Sequence, residues 1–225
     1  MKRIVILVLL GVLAFVVLLA VFTPASVVVS KAQLPPGLQV QDAQGTLWNG
    51  SARATWQTPM GPVTLDHIEW HYVPSQLFNG RVAYDLQASA PQLQVRGRMT
   101  HGAQGVEGFD LSVKGDASAL VSLFPWAARY QPQGDVTITA PYLTWNEQEI
   151  RGDASIDWKN ARAALPDLRS LGTYHAELHG TGGPANVTVT TVSGEYPIRA
   201  QGTATPQAVQ LSGTAGGQDF AFRVP

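Results

Sequence analysis

The sequence predicts a mainly β protein in which a large antiparallel, β-rich body follows a single N-terminal transmembrane helix. Residues 4–22 form an unbroken apolar run without a charged side chain. After Lys31, apolar and polar residues alternate with a period of two, and glycine and proline interrupt the alternation at short intervals. An apolar run of this length suits a bilayer-spanning helix, and the alternation is typical of antiparallel strands.

The N-terminal run is long enough to cross a membrane. A bilayer core is about 30 Å thick and a helix rises about 1.5 Å per residue, so about 20 residues are required. A cleaved signal peptide is the alternative, because it also begins with basic residues, but its apolar core usually has only about 7–15 residues. We therefore expect residues 4–22 to be a retained, single-pass anchor.

Basic residues before the run predict its orientation. Lys2 and Arg3 precede it, and positive charge favours the cytoplasmic side of a span. Residues 1–3 would then be a cytoplasmic tip, and residues 31–225 would form the body on the opposite side of the membrane. A tip this short cannot couple to chemistry in the cytoplasm.

The composition excludes several classes of function. Charged residues make up 14% of the chain and the net charge is -1, so no nucleic-acid partner is expected. The chain contains no cysteine, which excludes disulfides, thiol catalysis and cysteine metal sites.

Each predicted strand has one apolar and one polar face. In residues 46–56 the apolar positions are Trp48, Gly50, Ala52, Ala54 and Trp56. In residues 109–113 the same periodicity assigns Phe109, Leu111 and Val113 to the apolar face. The other predicted strands are residues 82–86, 150–158, 174–178, 187–192, 196–200, 209–211 and 220–224, and a strand that ends near Trp70.

One segment departs from this pattern. Residues 116–126 are predicted to form a short helix, with Asp116 or Ser118 as N-cap and Pro125 at its end. Together with the turn residues at 131–134, it marks a candidate boundary between two related halves of the body, divided near 116–134. Trp48 is echoed by Trp145, but the similarity between these echoes is too thin to establish a duplication, and we prefer one continuous body.

Two His-x-Glu-x-His triplets are the only pattern with metal-ligand chemistry. They consist of His67, Glu69 and His71, and of His175, Glu177 and His179. Alternate residues of a strand point the same way, so each triplet, or both together, could contact an ion. The intervening apolar residues already define buried faces, so we interpret the triplets as solvent-facing residues and predict no metal. No catalytic motif is present, and neither an enzyme nor a cofactor is predicted.

Several motifs carry a family resemblance. Residues 44–52 read Gln-Gly-Thr-Leu-Trp-Asn-Gly-Ser-Ala, the strand ending at Trp70 follows, and residues 77–82 read Leu-Phe-Asn-Gly-Arg-Val. With the N-terminal anchor, this arrangement resembles the type II secretion system protein N family. The residues that carry the resemblance are Gly45, Thr46, Leu47, Trp48, Asn49, Gly50, Trp70, Gly80 and Arg81.

The resemblance implies an accessory component of the bacterial inner membrane. It implies a single-pass protein with a cytoplasmic N-terminus and a periplasmic body, in a machine that moves folded proteins from the periplasm across the outer membrane. Inner-membrane lipid and other secretion-system subunits are the implied partners, without enzymatic activity or a small-molecule substrate. We interpret the motif residues as structural, because Gly45 and Gly50 permit a bend beside Trp48.

Two functions remain open at the level of the sequence. The body is a scaffold that contacts other subunits, for instance by pairing strands edge to edge. Alternatively, it is a membrane-anchored periplasmic groove that binds lipid or another apolar ligand, similar to proteins of the AsmA-like type. The choice depends on whether the strands form a sandwich or a curled, groove-like sheet, since only one short helix is predicted to cover the apolar face.

Overall fold

The computed structural model describes residues 22–31, 36–58, 61–102, 105–121, 125–146, 149–164, 168–205 and 207–224. The predicted cytoplasmic tip and all of the predicted span except Phe22 lie outside these residues. Within the described ranges, no helix combines the length and hydrophobicity that crossing a membrane requires.

The described chain forms one open sheet of thirteen antiparallel strands. Each strand pairs with its neighbours in sequence, so strand order in the sheet equals chain order. The strands are β1 (Leu38–Gly45), β2 (Asn49–Thr58), β3 (Gly61–Tyr72), β4 (Val82–Ala90), β5 (Leu93–Gly102), β6 (Gly105–Asp116), β7 (Gln133–Trp145), β8 (Ile150–Ala164), β9 (Leu168–Thr181), β10 (Ala185–Ser193), β11 (Ile198–Ala204), β12 (Val209–Ala215) and β13 (Gln218–Val224).

The two faces of the sheet differ in chemistry. Residues paired across antiparallel strands share a face, so the pairing shows which side chains lie in one row. The apolar row crosses β2 to β13 and consists of Ala52, Ile68, Ala88, Val95, Val113, Ile138, Ile156, Ala176, Val189, Ala200, Gly213 and Phe220.

A polar row runs beside it on the opposite face. Its members are Ser51, Glu69, Gln87, Arg96, Ser112, Thr139, Ser155, Glu177, Thr188, Gln201, Ser212 and Ala221. Eleven of these twelve residues are polar or charged. The predicted division into one apolar and one polar face therefore extends across the sheet.

The apolar face is not covered as it would be in a sandwich. Most buried apolar residues are alanines, and no large side chain among the described residues is less than 2% exposed. Ile156, near the middle of the apolar row, is 41% exposed. In a β-sandwich, the second sheet would bury such central side chains. The sheet is therefore open, and the sandwich alternative is wrong.

Bulges alter the predicted alternation. Asp42, Asp110 and Asn160 have positive φ and lie where the register shifts. The bulge at Asp110 places Phe109 opposite Arg98 and Tyr142, on the polar face. The assignment of Phe109 to the apolar face is therefore wrong, because the extra residue reverses the alternation that precedes it.

Four short helices accompany the sheet in the part of the chain that the structure describes. They are α1 (Ala25–Lys31), α2 (Ala117–Leu120), and the 3-10 helices Pro74–Asn79 and Pro125–Tyr130. Asp116 is the N-cap of α2, and its carboxylate accepts a hydrogen bond from the main-chain N–H of Ser118 at 2.8 Å. The predicted helix is thus shorter than expected, and Pro125 begins the next helix rather than ending this one. Residues 122–124 lie outside the described chain.

The sheet is continuous across the candidate boundary at 116–134. β6 pairs directly with β7, from Val106 opposite Trp145 to Asp116 opposite Asp135. A small core cluster lies at one end of β8 and β9, and it contains Ala161, Ala163, Leu171 and Tyr174, with Tyr130, Trp158 and Ile198 packed against it.

Candidate functional site

The first part of the sequence motif forms the turn between β1 and β2. Gly45 has φ +79°, and a Cβ there would lie 2.5 Å from the main-chain oxygen of Asn49. The main-chain N–H of Thr46 donates to the same oxygen at 2.8 Å. The Thr46 hydroxyl oxygen accepts from the N–H groups of Trp48 and Asn49, at 3.3 and 3.2 Å. Residues 45–50 therefore form a closed, internally bonded turn.

Trp70 packs against this turn from β3. Its indole Nε1 donates to the main-chain oxygen of Thr46 at 3.2 Å. The indole ring lies over Gly50, where an added Cβ would be 2.5 Å from a ring carbon. The ring fits in this position because Gly50 has no side chain.

Aromatic rings continue from the turn onto β3 and β4. The ring centroids of Trp48 and Tyr72 are 4.6 Å apart, and those of Tyr72 and Tyr84 are 5.4 Å apart. The pKa of the Tyr84 phenol is raised above its usual value, mainly by burial and to a smaller extent by the neighbouring Tyr72. The aromatic contacts connect the turn to β4, the first strand that follows the second motif.

The turn also contacts the segment that follows the predicted span. Leu47 donates its main-chain N–H to the oxygen of Thr23 at 3.1 Å, and Pro24 forms an isolated antiparallel bridge with Thr46. Ala25, the first residue of α1, is 2% exposed. We call Thr23, Pro24 and α1 the tether. The motif turn thus fixes the tether to the start of the sheet.

The second part of the motif ends the 3-10 helix Pro74–Asn79. Gly80 has φ +68° and donates its N–H to the oxygen of Leu77 at 2.9 Å. Nη1 of the next residue, Arg81, lies 3.2 Å from Oε2 of Glu107 on β6. The Glu107 side chain is 5% exposed.

This contact is an ion pair without hydrogen-bond alignment, because Oε2 of Glu107 accepts no hydrogen bond from a described residue. The neighbouring Thr100 hydroxyl is also buried without a described partner. The sequence does not predict a role for Glu107, since a glutamate on an alternating strand gives no signal that it is buried. The positive charge of Arg81 offsets the cost of burying the Glu107 carboxylate.

The two His-x-Glu-x-His triplets do not come together. One lies on β3 and the other on β9, with five strands between them. Among the described residues, no group of three or more His, Cys, Asp or Glu side chains is placed to bind a metal ion. The arrangement in which both triplets share one ion is therefore absent.

Three of these histidines instead contact one or two carboxylates on the polar face. His67 lies 2.7 Å from Glu69, and His179 lies 2.5 Å from Asp153. His175 contacts Asp157 at 2.7 Å and Glu177 at 3.3 Å. The pKa of His175 is raised, mainly by its hydrogen bond to Asp157 and to a smaller extent by its hydrogen bond to Glu177. Hydrogen bonding to His67 lowers the pKa of Glu69.

These features define a class of protein: an open antiparallel sheet with one apolar and one polar face, whose first hairpin binds an N-terminal tether. The family model for type II secretion system (T2SS), protein N, matches residues 36–221. The chain therefore belongs to the type II secretion system protein N family, as its motifs predicted.

Two similar proteins carry the same name. Type II secretion system protein N of Pectobacterium carotovorum subsp. carotovorum is 27% identical over 200 residues, which cover 87% of this chain and 77% of that protein. Its namesake in Vibrio cholerae serotype O1 (strain ATCC 39315 / El Tor Inaba N16961) is 26% identical over 151 residues, which cover 65% of this chain and 58% of that protein. No solved structure matches the chain significantly.

Proposed function

We propose that the protein is an accessory inner-membrane component of the type II secretion system, whose body lies in the periplasm and contacts other subunits of the machine. Export of folded proteins across the outer membrane is the process it supports, and the proposal assigns it no enzymatic activity. Its N-terminus is cytoplasmic, and residues 4–22 are its single span.

The observation that carries the proposal is the incompletely covered apolar face of an open sheet in a member of this family. Contiguous apolar surface is rare on monomeric soluble proteins and marks interaction sites. At about 4.8 Å per strand, the apolar row extends for about 50 Å. The tether contacts the β1–β2 turn, and the row begins on β2, the strand that follows this turn. The apolar row therefore starts close to the predicted membrane anchor.

The proposal is tested by crosslinking in the native host at the natural level of expression. Cells are crosslinked, the full-length protein is purified in detergent, and bound proteins are identified by mass spectrometry. A variant that contains only residues 1–31 is the control, because it retains the anchor without the sheet. Enrichment of secretion-system subunits over this control is expected, and equal recovery from both would contradict the proposal.

The same face supports a second candidate function, which is the binding of lipid acyl chains or another apolar ligand. The specific observation is that Ile156 is 41% exposed within a row that contains no charged residue. A groove that accepts an acyl chain requires such a continuous apolar lining, with few polar groups along it.

Lipid analysis distinguishes the two functions. The full-length protein, purified in a detergent that is then exchanged for amphipol, is analysed by native mass spectrometry for retained phospholipid. Val189→Gln, on the apolar row, should abolish retention, whereas the neighbouring Thr190→Gln on the opposite face should not. If the unaltered protein retains no more lipid than the 1–31 control, the acyl-chain function is wrong.

A further inference from the structure

The two edges of the sheet differ in how they are protected. At β1, the bulge at Asp42 interrupts the strand, and α1 contacts it. At the other edge, β13 pairs in unbroken register with β12, and no described strand lies on its outer side. Bulges and covering elements prevent edge-to-edge pairing. Among the residues that the structure describes, β13 has neither, so its edge is competent to pair.

The backbone groups available at this edge follow from the β12–β13 turn. Gly216 and Gly217 have φ of 59° and 83°, as a two-residue type I′ turn requires. Ala215 and Gln218 flank the turn and form its hydrogen-bonded pair. Because hydrogen-bonded positions alternate, Asp219, Ala221 and Arg223 direct their N–H and C=O groups away from β12.

We propose that β13 pairs antiparallel with β13 of a second copy of the chain, about a two-fold axis that passes through Ala221. In this register Ala221 lies opposite Ala221 of the second copy, and Asp219 lies opposite Arg223 of the second copy. All three outward-directed residues then meet outward-directed residues, which continues the hydrogen-bond pattern of the sheet.

The side chains of β13 are self-complementary in this register. The two-fold axis brings Asp219 against Arg223 twice, on the polar face, and Phe220 against Phe222 twice, on the apolar face. Asp219 and Arg223 are exposed, and neither forms an ion pair with any side chain that the structure describes. Opposite-charge and aromatic cross-strand pairs stabilise a sheet. Moving the axis by one residue, to Phe220, loses both charge pairs, so the register is specified.

The dimer joins like faces of the two sheets. A two-fold axis normal to the sheet at β13 keeps the apolar face of each copy on the same side, as an isologous interface requires. Each copy then has β1 and its tether at the outer end of the joined sheet. Both tethers reach one membrane when the joined sheet forms an arch with β13 at its apex.

A single introduced cysteine tests the pairing. The chain contains no cysteine, so Ala221→Cys supplies its only thiol. The two Cα atoms would be about 5.5 Å apart, within the disulfide range. Mild oxidation of the full-length protein in detergent should give a disulfide-linked dimer. Ser212→Cys is the matched control, because Ser212 is exposed beside Ala221 on the same face of β12. Its two copies would be about 14 Å apart, too far for a disulfide.

Charge exchange provides an independent measurement. Asp219→Arg and Arg223→Asp should each weaken self-association about tenfold, because like charges then face each other. The double variant restores both pairs and should regain the original dissociation constant in sedimentation experiments. Circular dichroism checks that each variant is folded. Equal disulfide formation by Ala221→Cys and Ser212→Cys, or a double variant no better than either single one, would overturn the proposal.

Discussion

The indole nitrogen of Trp70 donates a hydrogen bond to the main-chain oxygen of Thr46, 3.2 Å away. The N–H of the next residue, Leu47, donates to Thr23 at 3.1 Å. One turn is therefore bonded to β3 on one side and to the tether on the other. This arrangement gives the motif a physical role: it orients the sheet relative to the segment that leaves the predicted membrane span.

Replacement of Trp70 by phenylalanine should loosen the tether. The variant loses one hydrogen bond, which costs about 1 kcal/mol, and it frees the turn that holds Thr23. Amide hydrogen exchange at Leu47 should become faster than in the unaltered protein. Trp158→Phe is the control, since it removes an equivalent bond to the oxygen of Gln133 at 3.0 Å. If both variants change Leu47 exchange equally, the effect is global and the local role is wrong.

Alanine at the motif glycines should separate steric from conformational effects. Gly45→Ala and Gly50→Ala each place a Cβ 2.5 Å from a main-chain oxygen, and each should cost more than about 2 kcal/mol. Gly80 has φ +68°, but a Cβ added there would meet no atom within 4 Å. Gly80→Ala should therefore lower the free energy of unfolding by only about 1 kcal/mol. Urea unfolding measures all three. Equal losses would show that the close packing of the first turn is unimportant.

Removal of Arg81 should leave a buried charge without its counter-ion. Arg81→Ala is expected to destabilise the protein by about 3 kcal/mol, because the Glu107 carboxylate is 5% exposed. The double variant Arg81→Met/Glu107→Leu removes both charges and should unfold close to the original midpoint. Thermal unfolding of the two variants and of the unaltered protein gives the comparison. A single variant as stable as the parent would contradict the importance of this pair.

Stability should depend on the protonation of His175. Hydrogen bonds to Asp157 and Glu177 raise its pKa above the usual 6.5, so the folded state binds the proton more tightly than the unfolded state. The contribution of protonated His175 to the free energy of unfolding is complete below about pH 6.5, and it is lost as the pH rises through the raised pKa. The stability difference between the unaltered protein and His175→Gln should therefore shrink between pH 6 and pH 8.

His101→Gln is the control for this titration. His101 is exposed and forms no ion pair with any described side chain. The effect of this variant on stability is measured over the same pH range. If the stability difference depends on pH equally for His101→Gln and His175→Gln, the Asp157 contact is not the cause of the pH dependence.

Much of the fold follows from the alternation of residue types, and the exceptions have local causes. The pattern predicted the apolar positions of β8 because Ala154, Ile156 and Trp158 alternate without a bulge. β7 was not predicted. It contains Pro141, which argues against a central strand, but Pro141 lies in a register shift where a ladder hydrogen bond is already lost. Neither β1 nor β5 was assigned from the sequence.

The site could be predicted only where it rests on local sequence. The Gly-Thr-Leu-Trp-Asn-Gly string predicts a bend beside a packed tryptophan, and the structure shows that bend. The partner of the turn, Thr23, and the partner of Arg81, Glu107, lie on other elements. Such contacts depend on the register between strands, which the bulges shift and which a single sequence does not encode visibly.

Site-specific photocrosslinking from Ile156 tests the central claim most directly, because Ile156 lies exposed in the middle of the apolar row. A photoreactive amino acid at this position is activated in the native host, and the adducts are identified by mass spectrometry. The proposal predicts adducts with other type II secretion subunits, which disappear when the machine is deleted. Adducts with lipid alone, unchanged by that deletion, would contradict it.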